Sequence, residues 1–219
     1  MIEFTLPILE DYKDPYPAPE DYNYWKSRQD RTFFIDYEIG EVFPDGSRDN
    51  RIVELCKTIV QMNMDEMNVP KEELKPIYIY IYTYGGDLEE SLMLCDVCLS
   101  SRIPIITVGM GVAMSGGFLI LLAGHKRYAF NHCQMLVHSG SAAFQGTAEQ
   151  IEETQKNYKK QLSEIKDYIL SRTSIDEKVF NKYRSKEWYL KREEIIDYHV
   201  VDKLIDSLDE VFEGSDTIG

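Results

Sequence analysis

Ser115 lies in the run Gly109-Met-Gly-Val-Ala-Met-Ser-Gly-Gly117, between an apolar strand and an apolar helix. Glycines at such a junction let backbone N–H groups converge, and a helix N-terminus adds partial positive charge there. A serine so placed could act as a nucleophile if a base took its proton and an acid steadied the base. It could equally cap the helix through its hydroxyl, the glycines only permitting close packing. Gly85-Gly86 ends a second strand and could add donors to the same space, which suits a developing oxyanion. Of four histidines, His125 follows a helix terminator, His132 lies in a turn and His199 sits near the last strand. His138 differs, because it directly follows the apolar run Gln134-Met-Leu-Val137, and a strand end is where an α/β sheet displays its working groups.

The elements that must position these residues are legible from periodicity. Strands are expected over 32–35, 77–84, 103–109, 127–130, 134–137 and 199–201, and helices over 52–64, 88–99, 115–124, 147–172, 176–184 and 191–198. Ile77, Ile79 and Ile81 alternate with tyrosines, so both faces of that strand should be covered. Strand, helix, strand order predicts parallel pairing and the α/β class. Residues 1–25, rich in proline, acid and tyrosine, read as an extended or mobile acidic arm. Residues 26–208 read as one domain, and 209–219 as an acidic tail.

The 219 residues carry a net charge of −14, which argues against nucleic-acid binding, since affinity for phosphate comes largely from Lys and Arg. Residues 1–22 and 202–219 each hold six acids and one base, so the body between them is nearly balanced. No run approaches a membrane span and no signal peptide opens the chain, so a cytoplasmic protein with reduced thiols is expected. Cys95 and Cys98 form a C-x-x-C, yet they lie inside the 88–99 helical pattern with Leu88, Leu92 and Leu99, which reads as core packing.

Five ordered motifs carry a resemblance across residues 31–208: Ile79-Tyr-Ile-Tyr-Thr-Tyr-Gly-Gly86, Gly109 to Leu119 around the serine, Ala123-Gly-His-Lys-Arg-Tyr128, Met135-Leu-Val-His138 and Phe144-Gln-Gly-Thr-Ala148. Together they resemble the ClpP family, the proteolytic subunits of the ATP-dependent Clp protease. The resemblance implies a ClpP/crotonase-like superhelix of strand-strand-helix units with a protruding handle over about 139–172. It implies Ser115 as nucleophile, His138 as general base, and Gly86 and Gly116 as oxyanion donors. It also implies that an extended peptide pairs along Gly85 and along the handle strand, at Ser139, Gly140, Ser141, Ala142 and Ala143. Main-chain pairing of that kind ignores side chains and gives low sequence specificity.

Further implications are heptameric rings stacked in pairs, an AAA+ Clp ATPase partner, unfolded polypeptide as substrate, and no cofactor. ATP is used by the partner only, and no G-x-x-x-x-G-K-[ST] loop occurs in the chain. The third catalytic member departs from the family: Glu187 stands where the family has an aspartate. A glutamate can orient a histidine, but its extra methylene demands a shifted rotamer or backbone. Other departures are Tyr84 and Gly140 in place of prolines, Lys186 for an arginine and His199 for a glycine. Two alternatives remain at this point, a non-catalytic ClpP-like subunit of a mixed barrel and a crotonase-type acyl-CoA enzyme.

Overall fold

The computed structural model describes residues 19–138, 140, 143–183 and 186–213. The chain runs through α1 (Pro19–Asp30), β1 (Thr32–Ile35), α2 (Arg51–Asp65), β2 (Ile77–Thr83), α3 (Leu88–Ser100), β3 (Ile105–Met114), α4 (Gly116–Leu122), β4 (Lys126–Phe130) and β5 (Gln134–Val137). It continues through α5 (Ala148–Arg172), α6 (Glu177–Tyr183), β6 (Trp188–Leu190), α7 (Arg192–Asp197), β7 (Lys203–Ile205) and α8 (Asp209–Glu213). Strands β1, β2, β3, β4 and β7 pair in that order, all parallel, as strand-helix-strand connections require. This is the α/β class expected from the sequence.

Strand β3 serves two neighbours in turn. Its residues Ile106–Gly109 pair with β4, whereas Val112–Met114 pair with β5, which in turn pairs antiparallel with β6. The change of partner coincides with a register slip against β2, from Ile81↔Gly109 to Thr83↔Ala113. Gly111, at φ +46, lies inside that bulge, in a left-handed conformation that glycine adopts at little cost. The bend carries the end of β3, and Ser115 after it, away from the main sheet.

Helix α4 is buried at all seven positions, which is why it is apolar all round. Its carbonyl end is tied down by α5: Tyr168 Oη donates to Leu119 O at 3.0 Å, Arg172 Nε to Leu122 O at 2.9 Å and Arg172 Nη2 to Gly124 O at 2.7 Å. Only Ile165 and Ile169 of the 25 residues of α5 are fully buried, so its N-terminal half projects as the expected handle. Thr147 and Gln150 start it with a capping box. Cys95 and Cys98 are buried in the core, as is Cys56, and desolvation pushes the Cys95 thiol up to about 12.

The structure departs from the sequence reading at five places. The expected arm lies outside the described residues over 1–18, but 19–25 are not extended: they begin α1. Pro19 suits a first helical position, and Arg28 anchors the helix to Asp65 of α2 at 2.9 Å. Residues 199–201 form a turn rather than a strand. His199, at φ +50, closes α7, with His199 N–H donating to Ile196 O and Val200 N–H to Ile195 O, and the strand follows at β7. Strand β6 was not expected, and residues 209–213 are helical although they sit in the acidic tail. The tyrosine face of β2 is covered at Tyr80, which packs in a cluster with Ile106, Val108 and Tyr128, but Tyr82 is 45% exposed.

His125 joins β3 to β4: its N–H donates to Ile105 O and its Nδ1 accepts from Ile105 N–H, both at 2.8 Å. The residue is exposed overall, but part of its ring is taken out of water. That desolvation, and then the nearby Arg172 charge, hold its pKa below 6.5. A group with a depressed folded pKa takes up protons more readily when unfolded, so stability is complete above the unfolded value and falls with pH below it. Chemical denaturation measured from pH 7.5 to 5 should therefore show a loss below about pH 6.5 that His125→Phe removes from the profile.

Candidate active site

The register of β5 brings the serine and histidine together. Met114 lies opposite Leu136, so Ser115 falls beside Val137 and one residue from His138. Ser115 N–H donates to Leu136 O at 3.2 Å, which staples the serine to the strand that ends in the histidine. Ser115 adopts φ +51 and ψ −118, a conformation that costs an L-residue about 1–3 kcal/mol. Its surroundings hold it there, because its carbonyl also accepts from Phe118 N–H and Leu119 N–H. The side chain makes no cap hydrogen bond to α4. Instead His138 Nε2 lies 2.8 Å from Ser115 Oγ. The geometry thereby favours a serine paired with a base over a serine that caps a helix.

The glycines converge on the same point. A Cβ on Gly85 would stand 2.7 Å from Ser115 Cβ and 3.0 Å from Gly116 N, and one on Gly86, at φ +140, would stand 2.1 Å from Ile39 O. Only glycine fits either place. Gly116 opens α4, so its N–H has no intrahelical acceptor. Gly86 N–H donates to no backbone acceptor among the described residues. Among the described residues neither N–H has a backbone acceptor, and both glycines lie with Ser115 in the lining of one cleft.

Ser115, His138, Gly86 and Gly116 line a cleft of about 570 Å³, whereas Gly85 does not. Its lining combines polar groups, Ser115, His138, Asp87 and Glu187, with apolar ones, among them Leu162, Ile165 and Ile169 of α5. Asp87 and Glu187 are the acids that line it among the described residues. Asp87 is occupied, since it caps α3 by accepting from Glu90 N–H at 3.0 Å and faces Arg48. Glu187 is positioned by the unexpected strand: Val137 pairs with Trp188 in the antiparallel β5–β6 ladder, so the next residues out, His138 and Glu187, stand opposite each other. The Glu187 carboxylate nevertheless makes no hydrogen bond to His138. It accepts from Tyr189 Oη at 3.3 Å, and its charge holds the Tyr189 phenol above its usual range.

The expected peptide-pairing positions are placed in part. Gly140, at φ +73, lines the cleft, and Ala143 is exposed and does not. Ser139, Ser141 and Ala142 lie outside the described residues. Residues that sequence reasoning did not single out are Tyr158 and Tyr189 in the cleft wall. Tyr158 shares the helical stripe of Leu162, Ile165 and Ile169, a pattern that signals packing and not which cavity the stripe faces. A second serine–histidine contact, Ser174 Oγ to His199 Nδ1 at 2.9 Å, is exposed on a turn and has no glycine donors beside it. Proximity alone thus does not make a site.

An acyl-transfer type of side-chain set on a bent parallel sheet, with a projecting helix behind it, marks the ClpP class. Comparison with known proteins places the chain within it: the Clp protease family model matches residues 49–208, and the chain belongs to that family. It is 32% identical over 132 residues to the ATP-dependent Clp protease proteolytic subunit 2 of Treponema denticola, a match spanning 59% of this chain and 66% of that protein, just under two thirds of its length. It is 31% identical over 156 residues to the subunit 2 of Tropheryma whipplei, across 69% of this chain and 82% of that one. The proteolytic subunit of Deinococcus radiodurans is 26% identical over 150 residues, 68% and 72% of the two chains.

The close approach at Gly86 yields a test. Gly86→Ala must push the Gly86 backbone off Ile39 and so displace its N–H, and peptide hydrolysis should fall by about 100-fold or more. Gly46→Ala, at a positive-φ glycine with open space around it, should leave activity unchanged.

Proposed function

We propose that this chain is a serine endopeptidase of the Clp type, which cleaves unfolded polypeptide within an assembly of its own copies. The observation that carries the reading is the 2.8 Å contact between Ser115 Oγ and His138 Nε2, made by a hydroxyl that a helix cap would otherwise occupy. Ser115 Oγ attacks the peptide carbonyl carbon while its proton passes to His138 Nε2. The carbonyl oxygen becomes an oxyanion and is met by the N–H groups of Gly86 and Gly116. As the C–N bond breaks, His138 returns the proton to the leaving amine, and an acyl ester remains on Ser115. Water then loses a proton to His138, attacks the ester carbonyl, and the serine leaves with that proton restored.

Glu187 is the acid of this scheme. A rotation about its side-chain bonds carries the carboxylate from Tyr189 towards His138 Nδ1, where it fixes the tautomer that leaves Nε2 free to accept. Heptameric rings stacked in pairs, an AAA+ ATPase that delivers unfolded chains, a cytoplasmic location, and peptide pairing along residues 139–143 are parts of the same proposal, supported by membership of the family. Among the described residues no helix is long and apolar enough to cross a membrane. The chain's own chemistry draws on no metal or organic cofactor, and the energy of ATP enters through the partner.

A second reading is a non-catalytic subunit of a mixed barrel, favoured by the Glu187 carboxylate resting on Tyr189 instead of His138. Hydrolysis of short fluorogenic peptides by the assembled protein separates the two. Ser115→Ala should abolish it, and Glu187→Gln should lower kcat by about 10²–10⁴-fold through loss of the histidine's orientation. Wild-type rates in Ser115→Ala would refute the nucleophile, and wild-type rates in Glu187→Gln would refute the acid.

A further inference from the structure

The two oxyanion donors lie on different elements, and one buried side chain touches the supports of both. Thr83 ends β2 and is 3% exposed. Its Oγ1 accepts from Gly85 N–H at 3.1 Å and lies 2.5 Å from Tyr37 O. A hydroxyl has one proton, and Tyr37 O is a far closer acceptor than Gly85 O at 3.4 Å. The hydroxyl therefore bridges Tyr37 and Gly85. On its other side, the Thr83 Cγ2 methyl stands 2.5 Å from where a Cβ on Gly117 would be, against the first turn of α4.

Both ends of the bridge continue into the oxyanion hole. Two residues after Tyr37, Ile39 N–H donates to Gly85 O at 2.9 Å, and Ile39 O accepts from Asp87 N–H at 2.7 Å. A peptide group is planar and trans, so fixing the direction of Gly85 O fixes the opposite direction of Gly86 N–H within the same plane. Thr83 holds the 37–39 segment that grips Gly85 O, and it also holds the N–H of the preceding peptide. One side chain thus ties together the 37–39 segment, the glycine pair and the serine helix.

We propose that Thr83 is a positioning residue for the oxyanion hole: its hydroxyl aims Gly86 N–H. Thr83 contacts no reacting atom, and the proposal rests on the peptidase function proposed for Ser115 and His138. Removing the hydroxyl without changing shape leaves Gly85 N–H and Tyr37 O unpaired and lets Gly86 N–H turn away from the oxyanion. Binding of the substrate's ground state does not draw on that direction, so the loss belongs in kcat.

The test compares Thr83→Val, Thr83→Ser and Ser115→Ala in assemblies of wild-type mass, using a fluorogenic peptide and a peptide boronate that forms a tetrahedral anion on a serine. Thr83→Val should lower kcat about 10- to 100-fold with KM within about two-fold, and weaken boronate binding in proportion. Thr83→Ser, which keeps the hydroxyl, should stay within about three-fold of wild type. Should Thr83→Val fail to assemble, Thr83→Ala takes its place with the same expectation. Wild-type kcat in the Val or Ala variant, a loss confined to KM, or Thr83→Ser as impaired as Thr83→Val would overturn the proposal. An inactive Ser115→Ala beside an unimpaired Thr83→Val would refute the role of Thr83 alone, an active Ser115→Ala would refute Ser115 as the nucleophile, and a wild-type assembly that neither cleaves the peptide nor binds the boronate would refute the peptidase function itself.

Discussion

The hydrogen bond from Ser115 N–H to Leu136 O is the constraint from which the site follows. It exists only because β3 leaves β4 after Gly109 and takes up β5 at Val112, a change of partner made possible by the left-handed Gly111. A β3 that continued straight along β4 would deliver Ser115 to the main sheet, well away from the strand that ends in His138. The bend turns a sequence separation of 23 residues into a 2.8 Å contact. Strain at Ser115 is the local cost, and the buried, carbonyl-anchored α4 holds the residue against relaxing into an ordinary helix cap.

The N–H groups proposed as oxyanion donors depend on a second constraint, the close approach of Ile39 to Gly85 and Gly86. A parallel bridge between Ile39 and Gly86 brings two extended segments so near that no side chain fits between them. Backbone donors preset in this way need no reorganisation when charge develops, which is where such sites gain most of their rate. The apolar lining supplied by α5 completes the cleft, and the same helix secures α4 through Tyr168 and Arg172. Helix α5 and the Ser115 turn are therefore parts of one packed unit.

Much of this was legible in the chain because local pattern and tertiary role agree. The alternation in 77–83, the helical stripe in 88–100 and the apolar 116–122 run each match their observed element, and the Ser115, His138 and glycine assignments converge in space. What was missed has a common physical cause. Strand β6 is three residues long, too short for a period to show, and its existence depends on the β5 edge beside it. The turn at His199 adopts positive φ without a glycine to announce it. Helix α1 is polar, lacks an apolar stripe and is held partly by an ion pair to α2. Glu187 could be named from a motif, yet only β6 explains why it faces His138. The roles of Thr83 and Ile39 lie in hydrogen bonds across about 46 residues of sequence, which no local pattern encodes.

The central claim is that Ser115 is an activated nucleophile, and labelling of the assembled protein by a fluorophosphonate tests it most directly. Mass spectrometry of the digested protein should find the adduct on the peptide containing Ser115, and His138→Ala should suppress it. An unlabelled assembly, or an adduct on Ser174 beside His199 in place of Ser115, would contradict the account.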